Sequence, residues 1–236
     1  MIKYKVTSYI SIILVCITIF GIIKYLDKIN LYKINTFEIS GNQFIEESEI
    51  QNILNKTIKN SSYNINIKEI QNILNKHSYI NKSKVYSVLP SKIVVSINEI
   101  IPIAIYEDNN EIFFLDKESN KIQANYKSIN YYSVPVITNI NNQINFKNIS
   151  NILNTIKNNN QKFYSSINEL IIDDDILLMK IQNGTKIYLK KNKEMNNTIK
   201  LLSFLNTIKN NKKITDYKYV DLTIPKQIIV KENNKI

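Results

Sequence analysis

Three consecutive carboxylates, Asp173, Asp174 and Asp175, form the densest group of side chains that could hold a cation. Adjacent residues of an extended chain point to opposite sides, so three in a row cannot all face one ion. The run also separates two apolar stretches, NELII and ILLMK. The pattern therefore predicts a turn between two strands and no metal site.

Residues for the common catalytic sites are scarce. His77 is the only histidine and Cys16 the only cysteine, which excludes a two-histidine zinc site and a disulfide framework. With 3 glycines in the chain, a glycine-rich phosphate loop is hard to build. No nucleophile-elbow or paired-histidine motif occurs. We predict a protein that is not an enzyme, has no cofactor and no small-molecule substrate, and acts by binding.

The chain is strongly basic, and a basic chain can bind nucleic acid. The formal net charge is +11 and the pI about 9.4, but every basic residue is lysine and the lysines are scattered. Sites that read nucleic acid favour arginine, whose planar fork matches guanine and phosphate. Solvated surface charge is the preferred interpretation. The alternative, a DNA-binding membrane protein, predicts salt-sensitive retention of DNA.

An apolar segment opens the chain. Residues 6–23 carry no charge, which meets the lower length limit for a membrane-spanning helix, and Lys3 and Lys5 precede them. We predict a cytoplasmic tail at 1–8, a transmembrane helix at 9–26 and a linker at 27–35, with the rest outside the cytoplasm. A cleaved signal peptide is the alternative, but KYLDKINLYK follows the segment in place of a small-residue cleavage site.

The next segment alternates in the manner of a strand and then turns. Phe37 and Ile39 are the apolar residues of TFEIS, and Gly41 and Asn42 follow it. Retention of a glycine in so glycine-poor a chain indicates a turn with demanding backbone geometry.

One octamer, EIQNILNK, occurs at Glu49–Lys56 and again at Glu69–Lys76. Each copy is an amphipathic helix, and Asn66 with Glu69 has the spacing of a capping box. Two copies are too few for a solenoid, which needs at least three stacked units. Two strands follow, the first from Val85 and the second containing Ile93, Val95 and Ile97, with a turn at Pro90. The order is β-α-α-β-β.

These residues resemble the POTRA domain of the FtsQ/DivIB cell-division family. The resemblance rests on the strand followed by Gly41-Asn42, on Tyr79, Ile80 and Val85, on the Leu89-Pro90 turn, and on VxIxExxPIAxY ending at Tyr106. It places a POTRA domain at 36–106. The structural residues that it implies for this domain are Gly41, Asn42, Pro90, Glu99 and Pro102.

The remaining chain, 107–232, resembles the β domain of the same family, and 233–236 is a tail. It contains a hairpin at Glu111–Gln123, a second hairpin with Asn183-Gly184 as a type I′ turn, and a closing segment at Tyr217–Glu232. Two helices are predicted, the first with an apolar stripe of Ile149, Ile152, Leu153 and Ile156, the second indicated by Met195, Ile199, Leu202, Leu205 and Ile208. The fold class is α+β, with a mixed α/β second domain built on an antiparallel sheet.

The resemblance also implies a function. It implies a divisome scaffold, single-pass (type II) in the bacterial inner membrane, with its domains in the periplasm at the septum. Its partners would be bitopic coiled-coil proteins of the FtsB/FtsL type, held by strand addition, and it would help control septal peptidoglycan synthesis. The edge strand would be Ile224–Lys231. Its partner-binding residues would be Ile224, Lys226, Gln227, Ile228 and Val230. The alternative is a membrane-anchored POTRA protein in envelope transport or assembly.

Overall fold

The computed structural model describes residues 2–28, 34, 36–59, 66–139 and 145–233, and within the first helix the side chains of residues 11–25 and 28. The chain divides into two units, Met1–Glu99 and Ile100–Ile236.

The first helix, α1, runs from Ile2 to Lys28. It contains the whole predicted 9–26 segment and extends into the predicted tail and linker. In the part of the chain that the structure describes, no helix combines the length and the apolar character needed to cross a membrane. The membrane-spanning helix at 9–26 therefore stays a prediction. Most of the predicted linker lies outside the described residues.

The rest of the first unit has the predicted β-α-α-β-β order. Its elements are β1 (Thr36–Ser40), α2 (Glu47–Lys59), α3 (Ile67–Asn75), β2 (Ile80–Val88) and β3 (Lys92–Glu99). In the three-stranded sheet, β3 lies between β1, its parallel partner, and β2, its antiparallel partner. The strand β2 begins at Ile80, earlier than the predicted start at Val85.

Both copies of the octamer form helices, as predicted. Ile50 and Leu54 of the first copy and Ile70 and Leu74 of the second are buried. The side chain of Asn66 caps α3 by accepting a hydrogen bond from the Glu69 N–H at 3.2 Å. Identical octamers therefore supply equivalent apolar faces to the core of one small domain.

The second unit is a nine-stranded sheet with helices. Its elements are β4 (Pro102–Asp108), β5 (Glu111–Asp116), β6 (Lys121–Gln123), α4 (Tyr126–Tyr131), β7 (Val136–Asn139), α5 (Phe146–Asn159), α6 (Gln161–Tyr164), β8 (Ile167–Ile172), β9 (Ile176–Ile181), β10 (Lys186–Lys190), α7 (Glu194–Ile208), β11 (Tyr217–Asp221) and β12 (Ile229–Glu232), with 3₁₀ turns at Gln182–Gly184 and Ile214–Asp216. The strand order is β12-β11-β10-β9-β8-β7-β4-β5-β6.

The predicted antiparallel sheet is in fact mixed. The pairs β4–β7, β7–β8 and β10–β11 are parallel, and the other pairs are antiparallel. Helices lie between the members of each parallel pair along the chain, since α4 precedes β7, α5 and α6 precede β8, and α7 precedes β11. A parallel partner requires such a crossover connection, whereas a tight turn suffices for an antiparallel one.

The predicted end of the POTRA domain at Tyr106 is too late. The strand that contains Pro102 and Tyr106 pairs with β5 and β7 in the second sheet. Ile103, Ala104 and Tyr106 are buried in the core of the second unit. These apolar residues match the FtsQ/DivIB pattern in sequence, but their burial is in the other unit, because β4 finds its strand partners there.

Both helices predicted for the second unit are present, as α5 and α7. Ile149, Ile152, Leu153 and Ile156 of α5 are all buried, as predicted. In α7 the buried face is Asn197, Thr198, Leu201 and Leu205, and Ile199 is 54% exposed. Asn197 and Thr198 can be buried because each makes a hydrogen bond, to the carbonyls of Leu222 and Glu194 respectively. The predicted second helix is therefore present as α7, although Ile199, one of the residues that indicated it, lies outside the buried face.

The hairpin turn between β9 and β10 agrees with its prediction. Asn183 has φ 70° and Gly184 has φ 84°. A type I′ turn requires positive φ at both central residues.

Candidate functional site: the outer edge of the second sheet

The last strand, β12, lies at one end of the nine-stranded sheet. Among the described residues it pairs with β11 alone, in antiparallel register from Asp221↔Ile229 to Tyr217↔Glu232. All four of its residues are exposed. Its outer side therefore presents backbone N–H and C=O groups that an incoming strand could pair with.

The edge strand is shorter than the predicted Ile224–Lys231. Strand pairing starts at Ile229, and residues 224–226 form a bend and turn. Lys226 has φ 62°, and the Gln227 N–H donates to the Ile224 carbonyl at 3.5 Å. Pro225 has no N–H, and a left-handed residue cannot continue a ladder, so this part of the chain loops out before the strand begins.

The five predicted partner-binding residues lie partly in the strand and partly in the loop before it. Val230 lies in β12 and is 38% exposed, beside Ile229 at 37%. Ile228 precedes the strand and packs in part against the core. Ile224, Lys226 and Gln227 are exposed in the loop. These three could contact a partner only with side chains or loop backbone, and they are not part of the strand.

Both ends of the edge are fixed to the rest of the second unit. Lys200 of α7 donates to the Ile224 carbonyl at 3.4 Å and to the Gln227 carbonyl. At the other end, Lys212 pairs with Glu232, and this hydrogen bond raises the pKa of Lys212. Asn233 adds a backbone hydrogen bond to the Asp216 carbonyl at 2.9 Å. An edge held at both ends has less conformational freedom to lose on binding.

The groove between α7 and the 223–228 loop is basic. Lys193, Lys200 and Lys226 are among its lining residues, with Thr223 and Pro225. Positive charge beside the edge favours a partner segment that carries carboxylates. No sequence pattern indicated this groove, because its lysines are separated along the chain and the fold brings them together.

Three of the five predicted structural residues, Gly41, Asn42 and Glu99, act on the same loop between β1 and α2. Gly41 has φ 84°, and a Cβ there would lie 2.1 Å from the Ile97 carbonyl oxygen. The Asn42 side chain donates to the Ile45 carbonyl at 3.1 Å. The carboxylate of Glu99 accepts hydrogen bonds from the backbone N–H groups of residues 43–45 at 2.9–3.2 Å. Glu99 is therefore structural, holding the loop between β1 and α2.

Two further members of that set lie elsewhere. Pro90 is in the turn at 89–91 that joins β2 to β3, as predicted, and its bond to Leu89 is cis. Pro102 is the first residue of β4 in the second sheet, a position that a proline can occupy in a strand.

Asp173 and His77, which the sequence offered as candidate chemical groups, make hydrogen bonds within the protein. Asp173 N–H donates to the Ile176 carbonyl in the turn between β8 and β9. His77 Nδ1 accepts from the Tyr79 N–H at 3.2 Å, so Nε2 carries the proton toward Glu49 Oε1 at 3.1 Å. Among the described residues, no group of three or more His, Cys, Asp or Glu side chains could hold a metal ion.

The first unit matches the family model of the FtsQ-type POTRA domain over residues 32–99. This range ends where the first unit ends, at Glu99. The fold and the match together define a protein with an FtsQ-type POTRA domain.

Curated relatives agree. The chain is 31% identical over 94 residues to the cell division protein FtsQ of Rickettsia bellii, covering 40% of this chain and 35% of the relative. It is 32% identical over 127 residues to FtsQ of Rickettsia felis, covering 48% of this chain and 47% of the relative. The chain thus spans less than half the length of the relatives it matches. The FtsQ-type POTRA match and these relatives support assignment of the chain to the FtsQ/DivIB family.

A solved structure also resembles the chain. It is the major extracytoplasmic domain of the trans isomer of the cell division protein DivIB from Geobacillus stearothermophilus, at 12% identity. The similarity covers 49% of this chain and 99% of that one, with a TM-score of 0.33. The family assignment rests on the POTRA match and the FtsQ relatives.

Proposed function

We propose that this protein is a non-enzymatic divisome scaffold of a bacterial inner membrane. It holds bitopic coiled-coil partners of the FtsB/FtsL type and helps control septal peptidoglycan synthesis. Its cell-division relatives support the general role, and the FtsQ type of its POTRA domain favours this role over envelope transport.

The observation that carries the binding proposal is the open edge at β12. The strand is exposed, has β11 as its neighbour, and is held at both ends by Lys200 and Lys212. Strand addition satisfies backbone groups at such an edge, and alternate side chains supply specificity. We place the ladder at residues 229–232. The loop residues Ile224, Lys226 and Gln227, with the basic groove, would contact an acidic flanking segment of the partner.

The uncharged stretch 6–23 supports an anchor in the membrane, with lysines preceding it on the cytoplasmic side. In this topology the POTRA domain, from β1 onward, and the second unit lie in the periplasm. The proposal does not require any chemistry from either unit.

A substitution at the edge tests the binding proposal. We expect Val230→Asp to reduce co-purification of the coiled-coil pair from membranes at least about tenfold, since a carboxylate at a buried contact costs more than 1.4 kcal/mol. The same change at Val136 is the matched control. Val136 is 46% exposed but lies in β7, inside the sheet.

Depletion tests the cellular role. Loss of the protein should give filamentous cells, and complementation by the Val136→Asp variant but not by Val230→Asp would connect the division role to β12. Normal division after depletion would contradict the scaffold proposal. Equal co-purification by the two variants would contradict the binding site alone.

A further inference from the structure

The hairpin turn between β2 and β3 carries exposed apolar side chains. Leu89 in the turn is 79% exposed, Val88 42% and Tyr86 53%. Large apolar side chains grouped at one tip of a small domain indicate a contact with another surface.

The strand register shows that this tip lies at the end of the sheet nearest to the connection from α1. Thr36, the first residue of β1, is paired with Lys92, and Lys92 is also paired with Val88. The end of the sheet at which the chain enters from α1 is therefore the end that carries the Leu89 turn. Residues 29–35 alone separate α1 from β1. At about 3.5 Å per residue, this connection reaches at most roughly 28 Å.

Charge on the same hairpin is positive. Lys84, Tyr86 and Val88 alternate with the buried Ser83 and Val85, so these three share the face of the sheet opposite the buried one. Lys82 is exposed near them. Lys92, at the start of β3, forms an ion pair with Glu38. Lys84 is the cation of β2 nearest the tip, and Lys82 lies two residues farther from it.

We propose that the Tyr86–Ser91 tip of the POTRA domain docks on the anionic lipid surface of the membrane in which α1 is anchored. Leu89 and Val88 enter the headgroup region, and Lys84, about 14 Å from Val88 along the strand, extends its flexible side chain toward the lipid phosphates. This inference rests on the membrane anchor of the proposed function. It is independent of the β12 edge and of the role in division.

A single tryptophan can report the contact, because the chain has no tryptophan of its own. The full chain with Leu89→Trp is reconstituted in vesicles of phosphatidylethanolamine and phosphatidylglycerol, with and without brominated acyl chains. The control is Ser78→Trp, exposed just before β2 begins. It lies at the other end of β2, roughly 30 Å from the tip.

We expect a blue-shifted emission for Leu89→Trp and quenching by brominated lipid at least about twofold stronger than for Ser78→Trp. Adding Lys84→Glu should weaken the quenching of Leu89→Trp, and adding Lys68→Glu, exposed on α3, should leave it unchanged.

The outcomes separate the two proposals. If the chain floats with the vesicles but both tryptophans are quenched equally, the anchor stands and the tip contact is overturned. If the chain does not float, the anchor and the tip contact are both overturned. Equal effects of Lys84→Glu and Lys68→Glu would overturn the role of charge. None of these results bears on partner binding at β12.

Discussion

Glu99 and Phe44, residues far apart in the chain, are joined by a hydrogen bond from the Phe44 N–H to Glu99 Oε2 at 2.9 Å. The other carboxylate oxygen accepts from the N–H groups of Gln43 and Ile45 at 3.0 and 2.9 Å. Three donors thus converge on one half-buried carboxylate at the end of β3. Phe44 and Ile45 are buried beside it, so this carboxylate fixes the loop that leads into α2.

Replacement of Glu99 by Gln should destabilise the POTRA domain by about 1–3 kcal/mol, because an amide presents an N–H₂ group to donors that need an acceptor. Urea unfolding of the full chain, followed by hydrogen exchange of residues 43–45, measures the loss. Glu111→Gln, exposed in β5, is the control and should change the free energy of unfolding little. Equal free energies of unfolding for the two variants would contradict the structural role of Glu99.

The two glycines with positive φ allow a matched comparison. Gly41 and Gly184 both have φ 84°, but an added Cβ would meet other atoms within 4 Å only at Gly41, where the nearest is the Ile97 carbonyl oxygen at 2.1 Å. Gly184→Ala should cost about 1 kcal/mol from the left-handed backbone. Gly41→Ala should cost roughly 2 kcal/mol more, because the backbone of β3 must move.

Thermal unfolding with hydrogen exchange in each unit resolves this comparison. Gly41→Ala should destabilise the first unit and Gly184→Ala the second. A smaller cost at Gly41 than at Gly184 would show that the close approach to Ile97 does not constrain that position.

A cross-strand carboxylate, Glu169, makes the stability of the second unit depend on pH. Glu169 of β8 pairs with Lys180 of β9 at 2.8 Å and accepts from Thr138 of β7 at 2.7 Å. These contacts lower the pKa of Glu169 below its ordinary value of 4.5. A folded pKa below the unfolded one contributes stability above the unfolded pKa, and that stability is lost as the pH falls through the folded pKa.

Glu169→Gln should therefore be less stable than the original chain at neutral pH, by less than about 1 kcal/mol because the pair is partly solvated. The difference should disappear in acid, once Glu169 is protonated in both states. Urea unfolding across a pH series measures it. Glu118→Gln, exposed in the turn after β5, should show a smaller dependence. If Glu169→Gln and the original chain differed in free energy of unfolding by the same amount at every pH, the stabilising ion pair would be contradicted.

The sequence by itself determined the local structure of this protein. The apolar spacing of the doubled octamer predicted two helices, and Ile50, Leu54, Ile70 and Leu74 are buried as expected. Asn183-Gly184 predicted a positive-φ turn, because few residues other than Asn and Gly adopt that backbone without strain. Gly41 likewise predicted a turn, and it has a positive φ. These features depend on residues that are near each other in the chain.

The tertiary structure decided which elements share a sheet and which faces are buried. Pro102–Asp108 continues the POTRA sequence pattern yet pairs in the second sheet, because strand partners are chosen by long-range packing. Ile199 is exposed while Asn197 is buried, because a carbonyl at Leu222 satisfies the amide. The strand predicted at 224–231 shortens to 229–232, since Lys200 holds the preceding loop against α7. Each of these outcomes depends on a partner distant in the chain, which local periodicity does not encode.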